Sequence, residues 1–272
     1  MKHKKTKNLI INLSMAVLLV IFLFSAARLI RYHQEAKKNS NIYEELVSET
    51  VRVPEQMPML QEENEPVREE QTDEHWSPRY IDFDKLALIN DEIIGWITAE
   101  GTSVDYPVVQ TDNNEFYLNH DINKNVSSYG AIFADADAEL SGNPFNTVLY
   151  GHHMKNGQMF GELKKYREPE FRERYPYFTY TDQSGSRKFE IFAVCVTDAN
   201  ENGRNFLPYH RYTGGSEEEN EEFLGKVHEL ALYETGVEAA GNDQIMILST
   251  CTYEVENGRM FVVGKLVDTA AK

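Results

Sequence analysis

The strongest constraint on this chain is a run of 19 residues, Leu9 to Ala27, without one charged side chain, preceded by Lys2, Lys4, Lys5 and Lys7. A helix of that length rises about 28 Å, close to the hydrocarbon thickness of a bilayer. Residues 9–30 are therefore read as a single transmembrane anchor, with residues 1–8 as a basic cytoplasmic tail. Ser25-Ala26-Ala27 would also suit cleavage of a signal peptide, although the apolar run exceeds the roughly 7–15 residues of such segments. Arg28, Arg31, Lys37 and Lys38 nearly balance the lysines ahead of the span, so flanking charge hardly sets the orientation. The acidic remainder decides it: N-terminus inside, the rest outside the cell membrane.

Beyond the anchor the chain turns acidic. From Asn41 to His75 eleven Asp/Glu face two arginines, a sum of −9 out of a net −17. Pro54, Pro58 and Pro66 interrupt any long helix there, although Ile42 to Val53 has the pattern of a short amphipathic one. Residues 31–79 read as a self-repelling extended stalk. The charge argues against a phosphate-neutralising surface, so nucleic acid is not an expected partner. Two cysteines, with no CxxC pair and no Cys/His ligand spacing, provide neither a disulfide framework nor a zinc site.

Residues 80–272 are the expected folded domain. A helix-like stretch carrying Phe83, Leu86 and Ile89 ends at Asn90-Asp91, and eight β-rich runs follow: Ile94–Thr98, Val104–Val109, Gly130–Ala134, Asn146–His152, Tyr177–Thr181, Lys188–Thr197, Gln244–Thr250 and Met260–Val267. Eight strands on a chain this short suggest a closed barrel or a sandwich, mainly β, with peripheral helices. Those helices are Met159–Tyr166 and Ser216–Glu234, the second with Ser216 as N-cap and Phe223, Leu224, Val227, Leu230 and Ala231 at helical spacing.

Chemistry gathers at strand ends. Gln244 to Cys251 is an apolar strand that stops on a cysteine and turns polar. A thiol there can meet a substrate, whereas Cys195, inside the alternating run Phe189, Ile191, Ala193, reads as an inert core thiol. The register of the last two strands is open. A tight turn at Asn257-Gly258 would set Glu256 opposite Arg259 and Cys251 opposite Gly264. A seven-residue loop would set Cys251 opposite Arg259. Asn146 to His153 is a second apolar strand with a polar end, and alternation lets at most one of His152 and His153 face a common site. Thiol, imidazole and guanidinium together favour thiolate formation and acyl transfer. Asp135, Asp137 and Glu139 imitate part of a calcium loop, but Leu140 stands where glycine is needed, so they read as solvated turn residues and no metal is expected.

Tyr150-Gly151-His152-His153, Leu248-Ser249-Thr250-Cys251 and Arg259-Met260-Phe261-Val262-Val263 resemble the His, Cys and Arg signatures of sortases, cysteine transpeptidases of Gram-positive bacteria. Ile94-Gly95-Trp96-Ile97, Val104 to Gln110 and Phe116 to Asp121 resemble the class B branch, as does the long helix between the sixth and seventh strands. The resemblance covers Tyr80 to Val267.

It implies a closed eight-stranded sortase barrel with Cys251 as nucleophile, His152 as general acid and base, and Arg259 on the oxyanion, joined by the backbone N–H of Thr252. His152 is preferred to His153 because the family's histidine follows the glycine. Substrate-binding positions carry over to Asn114, Leu118, Tyr150, Phe206, Leu207 and Ser249. Thr252 is added with its side-chain role open, since it replaces a frequent acid, and the segment Asn200 to Tyr212 departs most from the family pattern. The implied partners are secreted proteins with a C-terminal sorting signal, NPQTN-like or LPXTG-like, and an amine of peptidoglycan, its precursor or a cross-bridge; no cofactor is implied. Three other readings stay open: a pilin polymerase using a lysine amine, a hydrolytic cysteine peptidase, and a non-catalytic binding module on the same barrel.

Overall fold

The computed structural model describes residues 2–52, 76, 78–139, 144–198, 200–203, 205–251 and 258–271, with side chains from residue 12 onward and without that of residue 251. The chain divides into two units, Met1–Glu45 and Leu46–Lys272. Helix α1 runs over Lys2–Thr50. It is long and apolar enough to cross a membrane, and Leu13, Val17, Ile21 and Phe24 along it are more than half exposed.

Helix α1 continues through residues 31–50, which corrects the expectation of extended chain there. The acids of that stretch are interspersed with lysines and apolar residues, Glu and Lys are good helix formers, and the first proline comes only at Pro54. The remaining stalk residues, 53–75 and 77, lie outside the described residues.

The folded unit begins ahead of Tyr80, a second correction. Strand β1 (Val51–Arg52) pairs antiparallel with β2 (Tyr80–Ile81). The Arg79 guanidinium holds the Asp105 carboxylate at 2.5 and 3.0 Å, and Trp96 Nε1 donates to the same carboxylate at 2.6 Å. A two-residue strand has no alternation to read, so a boundary at residue 80 was all the local pattern offered. Helix α2 (Phe83–Ile89) follows, capped by the Asp82 side chain, with Phe83 and Leu86 buried.

The barrel consists of β3 (Ile93–Ala99), β4 (Asp105–Val109), β5 (Ile132–Ala134), β6 (Asn146–Tyr150), β7 (Tyr177–Asp182), β8 (Gly185–Asp198), β9 (Ile245–Cys251) and β10 (Gly258–Ala271). It closes in the order β10-β8-β7-β3-β4-β5-β6-β9. Two neighbouring pairs, β4–β5 and β6–β9, are parallel; the others are antiparallel. Barrel closure satisfies the strand edges that an open sheet would leave unpaired. All eight expected strands are present with ends moved by a few residues; Asn146–His152 stops at Tyr150.

The expected helix Met159–Tyr166 is a 3-10 helix over Gly161–Arg167, followed by α3 (Pro169–Arg174). Helix α4 (Glu217–Glu229) has the expected start: Glu219 N donates to Ser216 Oγ and Ser216 N to Glu219 Oε2, a reciprocal cap. It ends five residues before the expected Glu234. Strand β7 pairs with β8 only as far as Glu190, and the chain after α4 takes up the edge beyond it. Leu232 N donates to Val194 O at 2.8 Å, and Thr235 Oγ1 to Phe192 O at 2.8 Å. Satisfying that edge is worth more than another helical turn.

The buried face of α4, Phe223, Leu224 and Val227, packs on the barrel wall against Phe192, Ile247, Phe261 and Val263. Cys195 lies in this cluster, its Sγ 3.3 Å from Val227 O, and burial pushes its thiol far above the ordinary range. It is an inert core residue. Phe261 is fully buried and its ring packs in a tilted arrangement against that of Tyr209, centroids 4.6 Å apart. Phe261→Ala is expected to destabilise the domain by about 3–5 kcal/mol, measured by chemical denaturation.

Candidate active site

Strands β6, β9 and β10 lie side by side. In the parallel pair Tyr150 stands opposite Ser249, and in the antiparallel pair Phe261 stands opposite Ser249 and Arg259 opposite Cys251. Of the two possible registers, the one that sets Cys251 opposite Arg259 is adopted. Gly151 N donates to Ser249 O at 3.1 Å, the bond that closes the Tyr150–Ser249 pair. His152 follows just past the end of β6, its carbonyl accepting from Met154 N and Phe160 N at 3.2 and 3.1 Å, while Cys251 and Arg259 pair across β9 and β10.

A groove of about 190 Å³ opens at this end of the three strands, lined by Asn114, Leu118, Phe133, Tyr150, Gly151, His152, Ser249, Thr250 and Arg259. Of the positions expected to bind substrate, Asn114, Leu118, Tyr150 and Ser249 are brought together here beside His152 and Arg259. Leu118 is 43% exposed on its 3-10 turn and offers an apolar contact. Tyr209 and Ser249 share a 2.6 Å hydrogen bond between their hydroxyls. His153 forms an isolated backbone bridge with Met159 and is not among the residues lining the groove.

Two expected positions are placed elsewhere. Leu207 is buried in the cluster under α4, its N–H donating to Thr197 Oγ1 at 3.0 Å. Phe206 bridges to Asp198, and neither residue is among those lining the groove. The segment folds back on β8, and it falls where the family pattern was weakest. Thr252 and the side chain of Cys251 lie outside the described residues.

The sequence reading missed Phe133, Thr250 and Gly151 as groove residues. Phe133 packs on Tyr150 across the β5–β6 pair, ring centroids 5.2 Å apart. Gly151 is required because any Cβ there would overlap Ile132 and the Phe160 ring; those neighbours are invisible in a linear pattern. It also misread Asp135, which is buried rather than solvated. Tyr150 Oη donates to Asp135 Oδ2 at 2.7 Å, and Asn114 Nδ2 donates to the same oxygen at 3.1 Å.

The electrostatics follow from burial. The His152 imidazole is held below its ordinary value of 6.5, chiefly by desolvation, with the Leu118 backbone carbonyl opposing and the Arg259 charge adding to the depression. Burial, then Asp135, pushes the Tyr150 hydroxyl far above its ordinary range, keeping it neutral. The depressed imidazole takes up its proton at lower pH in the folded than in the unfolded chain, so its contribution to stability is present above pH 6.5 and is lost as pH falls below it. Two outcomes follow. His152→Gln should flatten the acid-side loss of thermal stability, and Arg259→Gln should move the His152 NMR titration upward, towards 6.5.

Comparison with known proteins agrees with this geometry. A family model described as the sortase domain matches residues 97–267. The sortase B of Listeria monocytogenes is 35% identical over 184 residues, covering 67% of this chain and 72% of that protein. The sortase B of Staphylococcus aureus is 32% identical over 196 residues, covering 71% and 77%. Among solved structures, Clostridium perfringens sortase B superposes with a TM-score of 0.62 at 34% identity, covering 68% of this chain and all of that one. A Staphylococcus aureus sortase B–substrate complex gives 0.63 at 31%, covering 70% and 86%. With the barrel closed, Cys251 opposite Arg259 at the end of β9 and His152 lining the adjoining groove, the chain belongs to the sortase family of cysteine transpeptidases and is similar to its class B members.

Proposed function

We propose that this sortase cleaves a C-terminal sorting signal of secreted proteins after threonine and transfers the threonine carbonyl, through a thioacyl-Cys251 intermediate, to an amine of peptidoglycan or its precursor. The observation that supports this reading most is the pairing of Cys251 with Arg259 across β9 and β10, with His152 and Arg259 lining one groove at that strand end. Helix α1 serves as the single-pass anchor in this reading, with the catalytic domain outside the cell.

The depressed basicity of His152 suits its part. A neutral imidazole can take the Cys251 proton, and the imidazolium so formed is a stronger acid than an exposed one, well matched to protonating a leaving amine. The thiolate attacks the threonine carbonyl carbon, and Arg259 stabilises the charge that develops on its oxygen. Collapse breaks the C–N bond, the departing amine takes the His152 proton, and a thioester remains. The incoming amine loses a proton to His152 as it attacks the thioester, the C–S bond breaks, and the thiolate is regenerated. One amide replaces another, so no external energy source is needed. Asn114, Leu118, Tyr150 and Ser249 hold the signal in the groove; a substrate complex of the similar Staphylococcus aureus sortase B supports a sorting-signal substrate in general.

Intact-mass analysis of the full chain in detergent with NPQTN-like and LPXTG-like peptides tests the reading. A peptide-dependent adduct, absent in Cys251→Ala and converted by triglycine to a ligated product, is the expected outcome. An adduct that persists in Cys251→Ala, or none with any peptide, overturns it. Arg259→Ala should lower the acylation rate by about 10²–10³, the usual loss for one oxyanion donor.

A further inference from the structure

The buried Asp135 has no part in the chemistry above and does not itself line the groove, yet two groove residues converge on it. Its Oδ2 accepts from Tyr150 Oη at 2.7 Å and from Asn114 Nδ2 at 3.1 Å. Its Oδ1 accepts from Asp137 N at 3.0 Å. Asp135 N donates to Val148 O at 3.0 Å, next to the β5–β6 pair. Gln110 Nε2 donates to the carbonyls of Asp135 and Ala138 at 2.8 and 2.9 Å. The carboxylate is thus fixed from both sides, in a residue only 5% exposed.

This arrangement dictates what the groove can offer a ligand. Ala136 N donates to Asn114 Oδ1 at 2.8 Å, which settles the orientation of that amide. With Oδ1 occupied and one Nδ2 hydrogen on Asp135, Asn114 has one N–H left for the groove it lines. The Tyr150 proton is likewise engaged, so toward a ligand in the groove that this residue lines its oxygen can only accept. A hydrogen bond to a carboxylate is stronger than a neutral one, so neither group can readily turn over.

From this geometry we infer that Asp135 is a positioning residue for the sorting-signal peptide: it locks Asn114 as a hydrogen-bond donor and Tyr150 as an acceptor, so that this wall of the groove selects a peptide carbonyl oxygen at Asn114. The inference rests on the transpeptidase reading and adds to it the polarity of the binding wall.

The test uses the full chain in detergent, with the sorting peptide found to react, and compares wild type, Asp135→Asn, Asn114→Ser and their double variant. Asp135→Asn keeps the side-chain shape and removes the charge. It should raise KM for the peptide roughly tenfold, the loss expected for one charge-assisted hydrogen bond, and leave the rate of triglycine attack on the preformed thioester unchanged. Asn114→Ser, which spares the buried carboxylate, should give a similar rise, and the double variant no further one. A second readout needs no turnover: in ¹³Cζ-tyrosine NMR, with Tyr150 assigned by its loss in Tyr150→Phe, the Tyr150 signal should begin to titrate at lower pH in Asp135→Asn than in wild type. If Asp135→Asn does not fold, Asn114→Ser alone decides: an unchanged KM overturns the proposal and a tenfold rise upholds it. An unmoved Tyr150 titration, or acylation and aminolysis slowed equally at constant KM, overturns the proposal while leaving the transpeptidase in place. A wild type that reacts with no peptide overturns the transpeptidase reading and this proposal with it, and is told apart by the failure of the wild type itself.

Discussion

The parallel pairing of β6 with β9 is the constraint on which the site depends. Parallel neighbours run in the same direction, so both strands finish at one rim of the barrel, and the Gly151 N to Ser249 O bond closes the Tyr150–Ser249 pair there. Antiparallel β10 begins at that rim and returns along β9 with Arg259 opposite Cys251. One rim thereby gathers residues more than one hundred positions apart in the chain. A shift of one residue in either pairing would turn a whole set of side chains to the other face.

Packing holds that register in place. Val148, Ile247, Phe261 and Val263 are buried together under α4, so slipping any of the three strands would expose apolar surface along its length. Asn146 ties the start of β6 to the segment before α4 through bonds from its Nδ2 to the carbonyls of Tyr209 and Tyr212, at 3.0 and 2.7 Å. Tyr209 in turn packs against Phe261 and bonds Ser249 in the groove. The core under α4 and the groove wall are thus one continuous packed body, which suits a site that must present its groups in a fixed geometry.

Much of this was legible in the residues. The alternation along Lys188–Thr197 and the apolar run before Cys251 point to strands without tertiary information, and Ser216 with Glu219 marks the start of α4. The motifs around His152, Cys251 and Arg259 carried the family and four of the six groove positions assigned by resemblance. What was illegible depended on distant partners. The end of α4 was set by the unpaired edge of β8, the placement of Leu207 by its bond to Thr197, and the need for glycine at 151 by Ile132 and Phe160. Asp135 shows the same limit from the polar side: an Asp in an acidic turn reads as solvated until Tyr150 and Asn114 are seen to converge on it.

The sequence by itself determined the anchor-like apolar run, the eight strand-forming segments and the residue types available for acyl transfer, because each is a matter of local composition or of a period along the chain. Only the tertiary structure decided between the two registers in favour of Cys251 opposite Arg259, brought His152 and Arg259 to one groove, and buried Asp135 beside it. Register and burial are fixed by which surfaces exclude water together, and that is a property of segments brought side by side by barrel closure rather than of any segment alone.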